Sequence, residues 1–145
     1  PGMNGLVRKL CNEYNIKRER IPKEGYTFSG GFAAGLGRKI GRCGLSFCAD
    51  LARAGAARDG IRYPDYFFGM LAGGHLNAEL VGNIIRALPD GVSEIMTHPG
   101  LETAPLAKLY AWHYTWETEL ASYLDEGNKA LIKENNVQLI SFGDL

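Results

Sequence analysis

Val92-Ser93-Glu94-Ile95-Met96-Thr97-His98-Pro99-Gly100 is the stretch on which the fold turns. Residues 92–97 read as a strand, and His98-Pro99-Gly100 as the turn at its C-terminal end. Immediately upstream, Asn77 is an N-cap candidate ahead of Leu80, Val81, Ile84, Ile85 and Leu88, whose spacing marks one helical face. Pro89-Asp90-Gly91 then stops that helix and turns the chain into the strand. Further back, Tyr66, Phe67 and Phe68 sit between Pro64 and Gly69 with the composition of a short buried strand. A strand, a helix and a strand in that order call for parallel pairing, because parallel neighbours need a crossover of a dozen or more residues.

The flanks extend the alternation. Met3, Leu6, Val7, Leu10, Cys11 and Tyr14 recur at helical spacing up to about Asn15, and residues 16–21 follow as a strand that ends at Pro22. Between 25 and 60 the chain is rich in glycine, which weakens any helix by about 1 kcal/mol per residue relative to alanine. Leu36, Ile40, Phe47, Leu51 and Ala54 nevertheless share a face, so a loop and then a glycine-loosened helix over 33–58 is expected. Downstream, Trp116, Leu120, Tyr123 and Leu124 mark another helix, residues 128–134 a shorter one, and 137–142 a closing strand. The expected fold is α/β, the C-terminal half of an incomplete (β/α) TIM-like barrel of the glycoside hydrolase and deacetylase type, forming a single unit with four parallel strands and intervening helices. Four such strands leave two open edges. Partner strands are expected before Pro1 or from another chain, and a homodimer is one way to cover the exposed faces.

The 145 residues suffice for one core, and 16 Lys and Arg balance 16 Asp and Glu. That neutrality offers no net field for nucleic acid or an anionic membrane surface, so neither partner is expected. Three cysteines, Cys11, Cys43 and Cys48, are an odd number without a dense secreted framework, for which a reducing cytoplasm is the simpler reading. No apolar run approaches the roughly 18 residues of a membrane span. The chain opens at Pro1-Gly2 without an initiating Met and runs at once into a helical pattern, as a processed or excised piece would.

Few residues suit chemistry. His98 stands where a parallel strand meets its C-terminal loop, the position at which barrels and open α/β sheets place reactive groups, and Pro99 with Gly100 fixes the turn that would aim it into a cleft. The bland alternative is a histidine that caps the strand. Arg20 ends the strand before Pro22 and could reach the same cleft, or be a solvated arginine. His75 and His113 have no metal-ligand partner at useful spacing, and Cys43 and Cys48 have no second pair, so no metal site is read within the chain. Gly35, Gly37 and Gly41 with Arg38, Lys39 and Arg42 lack the spacing of a dinucleotide or phosphate loop and read as a basic helix start. Tyr110, Trp112, Tyr114 and Trp116 could stack on sugars or pack a helix interface.

Several segments, in this order, resemble the YdjC-like family of carbohydrate deacetylases, which includes chitooligosaccharide deacetylases and a hopanoid-biosynthesis-associated branch. They are Pro1-Gly2 with its helix, Arg20-Ile21-Pro22 with Glu24, Gly60-Ile61 through Pro64-Asp65, Phe67-Phe68-Gly69, Glu94 through Gly100, and Ile140-Ser141-Phe142 with Asp144-Leu145. The resemblance implies a metal-dependent hydrolase that removes N-acetyl groups from amino sugars or short N-acetylglucosamine oligosaccharides. It also implies one divalent cation, magnesium or zinc, held by an aspartate and two histidines in segments that precede Pro1. A water bound to that cation would attack the amide. His98 is then expected to act as general acid towards the leaving amine, Arg20 to orient groups at the acyl site, and Phe68, Pro99 and Gly100 to touch the sugar. Without the cation ligands the 145 residues alone are expected to be inactive. The competing reading is a noncatalytic carbohydrate-binding or assembly module on the same half-barrel.

Overall fold

The computed structural model describes residues 2–145; Pro1, which heads the expected opening motif, lies outside the described residues. Eight elements follow in order: α1 (Gly2–Glu13), α2 (Leu36–Arg58), β1 (Tyr66–Phe68), α3 (Ala78–Arg86), β2 (Ser93–Ile95), α4 (Thr103–Leu109), α5 (Trp116–Leu124) and α6 (Glu126–Glu134). The α/β class and the β–α–β centre are as the pattern demands. β1 and β2 pair in parallel across the α3 crossover.

The expectation of four parallel strands in a half-barrel is corrected to six helices and two strands among the described residues. Residues 16–21 make strand-like contact through an isolated parallel bridge between Arg18 and Arg62, with Glu19 N–H donating to the Arg62 carbonyl at 2.9 Å, and reach β2 itself through the side chain of Arg20 on Glu94. Pro22 has no amide to continue that ladder, the Lys23 amide turns back onto the Ile21 carbonyl at 2.8 Å, and pairing resumes only as a second isolated parallel bridge, between Glu24 and Phe67 of β1. The segment 137–142 pairs with no strand among the described residues. Its local turn wins instead: the Asp144 carboxylate accepts from the Ser141 amide at 2.9 Å and its hydroxyl at 2.7 Å, a side-chain bond that competes with a ladder. Two strands of three residues cannot stand alone in water, so helices must hold them.

One core does that. Phe68 of β1, Ala72, Leu76, and Leu80, Val81, Ile84 and Ile85 of α3 are buried together, with Ile95 of β2, Tyr123 of α5 and Leu131 of α6 packed on them. α3 is the best-formed helix: Asn77 Oδ1 accepts from the Leu80 amide at 2.9 Å, the cap its position implied. A second core joins Cys11 of α1, Ile21, Ile61, and Ala49 and Ala56 of α2.

α2 begins at Leu36 rather than 33 and survives its glycines because its inner face is fastened by polar side chains. Arg42 is buried and donates to the Tyr26 and Phe28 carbonyls, Ser46 Oγ donates to the Glu24 carbonyl at 2.9 Å, and Arg38 Nη1 reaches the Leu71 and Gly73 carbonyls at 3.1 and 3.2 Å. Arg53 Nη2 holds the Pro64 and Asp65 carbonyls at 3.0 and 2.8 Å. The basic helix start is therefore real, and two of its three cations, Arg38 and Arg42, also fasten neighbouring loops while Lys39 is exposed. Leu36, Ile40, Phe47 and Leu51, read as a shared helical face, point to solvent instead.

Candidate functional site

The register Tyr66↔Ser93, Phe67↔Glu94, Phe68↔Ile95 ends β1 and β2 level with each other, and the Met96 amide extends the ladder to the Phe68 carbonyl at 2.9 Å. The loops that follow, 69–77 and 96–102, therefore leave the same rim side by side. Gly69 permits the approach: its φ is +92°, and a Cβ there would come within 2.5 Å of the Met96 carbonyl oxygen. His98 rides on the second of these loops.

α5 supplies what holds it. Glu119 stands one helical turn beyond Trp116, on the face that also carries Leu120 and Tyr123, and its side chain is 0 % exposed. One carboxylate oxygen accepts from the Leu76 amide at 3.1 Å; the other accepts from the His98 amide at 2.5 Å and from the Thr97 hydroxyl at 3.2 Å. The loops after both strands are thus tied to one buried carboxylate, whose burial is offset by three donors. The second oxygen also lies 3.7 Å from Nδ1 of His98. Nδ1 is buried and has no hydrogen-bond partner among the described residues, while the side chain as a whole is 28 % exposed. The exposure therefore belongs to the rest of the ring, and a proton on Nδ1 would point at Glu119.

An aromatic residue covers the other side of the imidazole. The Tyr114 ring lies 4.8 Å from that of His98, tilted by 59°, and 6.2 Å from that of His75, which in turn stacks on Phe32 at 6.0 Å. The Thr115 amide anchors this segment to the Gly74 carbonyl at 2.8 Å, and Gly74, at φ +81°, leaves no room for a Cβ beside the Tyr114 ring. Burial, then the Arg38 charge, lowers the His75 pKa from its ordinary 6.5, with Glu119 pulling the other way. Burial and Arg38 both favour the neutral form of the ring.

The remaining sequence candidates fall as follows. Arg20 is exposed and forms an ion pair with Glu94 of β2, its Nε donating to Oε1 at 2.5 Å. Arg20 is thus tied to Glu94 and His98 to Glu119, with no direct bond between Arg20 and His98 among the described residues. Glu94 borders an open groove of about 210 Å³ whose walls include Pro64, Ile140 and Phe142. Phe68 is buried in the core, edge-on to Phe28 at 5.2 Å, an address for packing. Pro99 is exposed on the His98 turn. Gly100 donates to the Trp116 carbonyl at 3.2 Å, and a Cβ there would meet Leu106 and Trp116 at 2.9 and 3.0 Å.

Glu119, Tyr114 and His75 join His98 without having been singled out for this site. Glu119 had a signal, since a carboxylate three residues from Trp116 and four from Tyr123 falls on the apolar face of its helix. Among the described residues, no three His, Cys, Asp or Glu side chains come together to hold a metal ion. No helix is long and apolar enough to cross a membrane, among the described residues.

A family profile described as YdjC-like protein matches residues 1–134. No curated protein and no solved structure matches the chain.

Proposed function

This chain belongs to the YdjC-like family, and from that premise we propose that it forms part of a hydrolase that removes the N-acetyl group from an amino sugar or a short N-acetylglucosamine oligosaccharide. The observation that carries the reading is the imidazole of His98, about a quarter exposed and set at the C-terminal rim of the sheet with its Nδ1 edge 3.7 Å from the buried Glu119 carboxylate. In amide hydrolysis the C–N bond breaks, water supplies the new oxygen of acetate, and the departing nitrogen must gain a proton because an amine anion is a very poor leaving group. His98, with Nδ1 turned to Glu119, offers Nε2 as the atom that delivers this proton, a contribution typically worth a factor of about 100 to 10,000. Catalytic hydrogen bonds are often long until substrate binds, so a spacing of 3.7 Å is compatible with this role.

The magnesium or zinc ion implied by the family resemblance does not fit the residues described, which bring together no suitable ligand set. In this reading its ligands lie outside them, and the proton delivery assigned to His98 does not run through the ion. Arg20 acts through Glu94, holding that carboxylate against the strand. A second reading, a noncatalytic sugar-binding module, draws on the exposed rings of Tyr110 and Trp112.

The test measures acetate released from N-acetylglucosamine and its short oligomers by the full-length protein, with and without a chelator. We expect chelator-sensitive release that falls by about 100-fold or more in His98→Ala with the fold intact by circular dichroism. Release that is absent, or equal in wild type and His98→Ala, rejects the reading and leaves the binding module.

A further inference from the structure

Between Tyr110 and Trp116 every second residue is aromatic, and the structure turns this alternation into a row. Tyr110 and Trp112 stack with centroids 4.7 Å apart and planes 26° apart; Trp112 meets Tyr114 at 5.6 Å; Tyr114 meets His98 at 4.8 Å. The inner end of the row touches the candidate acid, whereas the outer end is open, with Tyr110 44 % and Trp112 55 % exposed. Nothing in the core needs these two rings. The helix before them, α4, contributes no buried residue, and the segment between them and Tyr114 passes through His113 at φ +57°, a left-handed backbone that a histidine adopts at a cost. Two large rings are thus kept in water on a strained loop, continuous with the reactive imidazole.

The chemistry of the surface selects its occupant. Stacked aromatic faces attract flat, weakly polar rings arranged in succession. Bases of a single-stranded nucleic acid would also stack, but such sites line the phosphate path with cations. Here residues 101–119 hold one cation, Lys108, against Glu102, Glu117 and Glu119. Pyranose rings present apolar C–H faces and carry no charge, so a neutral oligosaccharide fits where a polyanion does not.

We propose that Trp112 and Tyr110 form outer sugar subsites, so that the site takes an oligosaccharide whose reacting N-acetyl sugar lies at His98 while its neighbours stack on the exposed rings. The proposal rests on the deacetylase reading and adds that length, beyond the reacting sugar, is read by the 110–114 loop. A single sugar reaches His98 and Tyr114 but leaves the outer rings empty.

The test titrates the full-length protein with N-acetylglucosamine and with its β-1,4-linked tetramer, following tryptophan fluorescence and calorimetry, and measures acetate release from both. We expect the tetramer to bind at least about tenfold more tightly than the monomer. Trp112→Ala should remove about fivefold to tenfold of tetramer affinity and leave the monomer unchanged, while Trp112→Phe retains most of the preference. Equal affinities in the wild type overturn the proposal, as does a tetramer preference that persists in Trp112→Ala and in the Tyr110→Ala/Trp112→Ala double variant. Tighter binding of a single-stranded oligonucleotide than of the tetramer also overturns it. The two readings fail separately. Acetate release equal for both substrates and insensitive to Trp112→Ala removes the outer subsites and keeps the reaction. A Trp112-dependent preference without any acetate release keeps the subsites and removes the reaction.

Discussion

Glu119 organises the candidate site although it bears no chemistry of its own. A carboxylate fully removed from water is tolerated only when donors replace its hydration, and Leu76, Thr97 and His98 do so from two loops that are otherwise independent. Glu119→Ala leaves those donors without an acceptor, each unsatisfied buried group costing about 1–3 kcal/mol. Urea denaturation should therefore show a loss of at least about 2 kcal/mol; a loss below about 0.5 kcal/mol would mean that the three bonds contribute little. At this scale the sequence revealed His98, because a strand followed by His-Pro-Gly states both position and direction. Glu119 was legible only as a carboxylate on an apolar helical face, and its tie to His98, which spans 21 residues, carried no signal. Tyr114 and His75 were hidden for the same reason, since only the folded loops bring them to one another.

Elements with their own local signals were legible, and those that depend on neighbours were not. α3 needed only its apolar spacing, its asparagine cap and its proline stop, all contained within the segment. Asn77→Ala should accordingly cost about 1 kcal/mol of stability in thermal or urea melts, through the loss of the bond to the Leu80 amide. No change in the midpoint would show that water serves that amide equally well. Residues 16–21 and 137–142 carry strand-like composition, but a strand is defined by its partner, and bridge, proline and aspartate turn leave both outside the two-stranded sheet. α4, Thr103–Leu109, escaped notice because Pro105 lies within it. A proline in the first turn removes only an amide that has no intrahelical acceptor there.

Across the whole molecule, α2 is turned inside out relative to an ordinary surface helix, with arginines fastened inward and Leu36, Ile40, Phe47 and Leu51 left 59–74 % exposed. We propose that this apolar ridge is a pairing surface for a second copy of the protein. Analytical ultracentrifugation of the full-length protein should find a dimer that Phe47→Glu converts to monomer with the fold retained. A wild type that sediments as a monomer at micromolar concentration refutes this pairing. The helical spacing of those residues was plain in the sequence; which way they face was not, because orientation is decided by the carbonyls that the arginines find across the chain. Gly74 carries a last consequence. The Tyr114 ring occupies the volume where any side chain at position 74 would begin, so even alanine there must evict the one ring shared by His75 and His98. Damage at a residue with no functional group would then look, in an activity assay, like the loss of the proton donor proposed at His98.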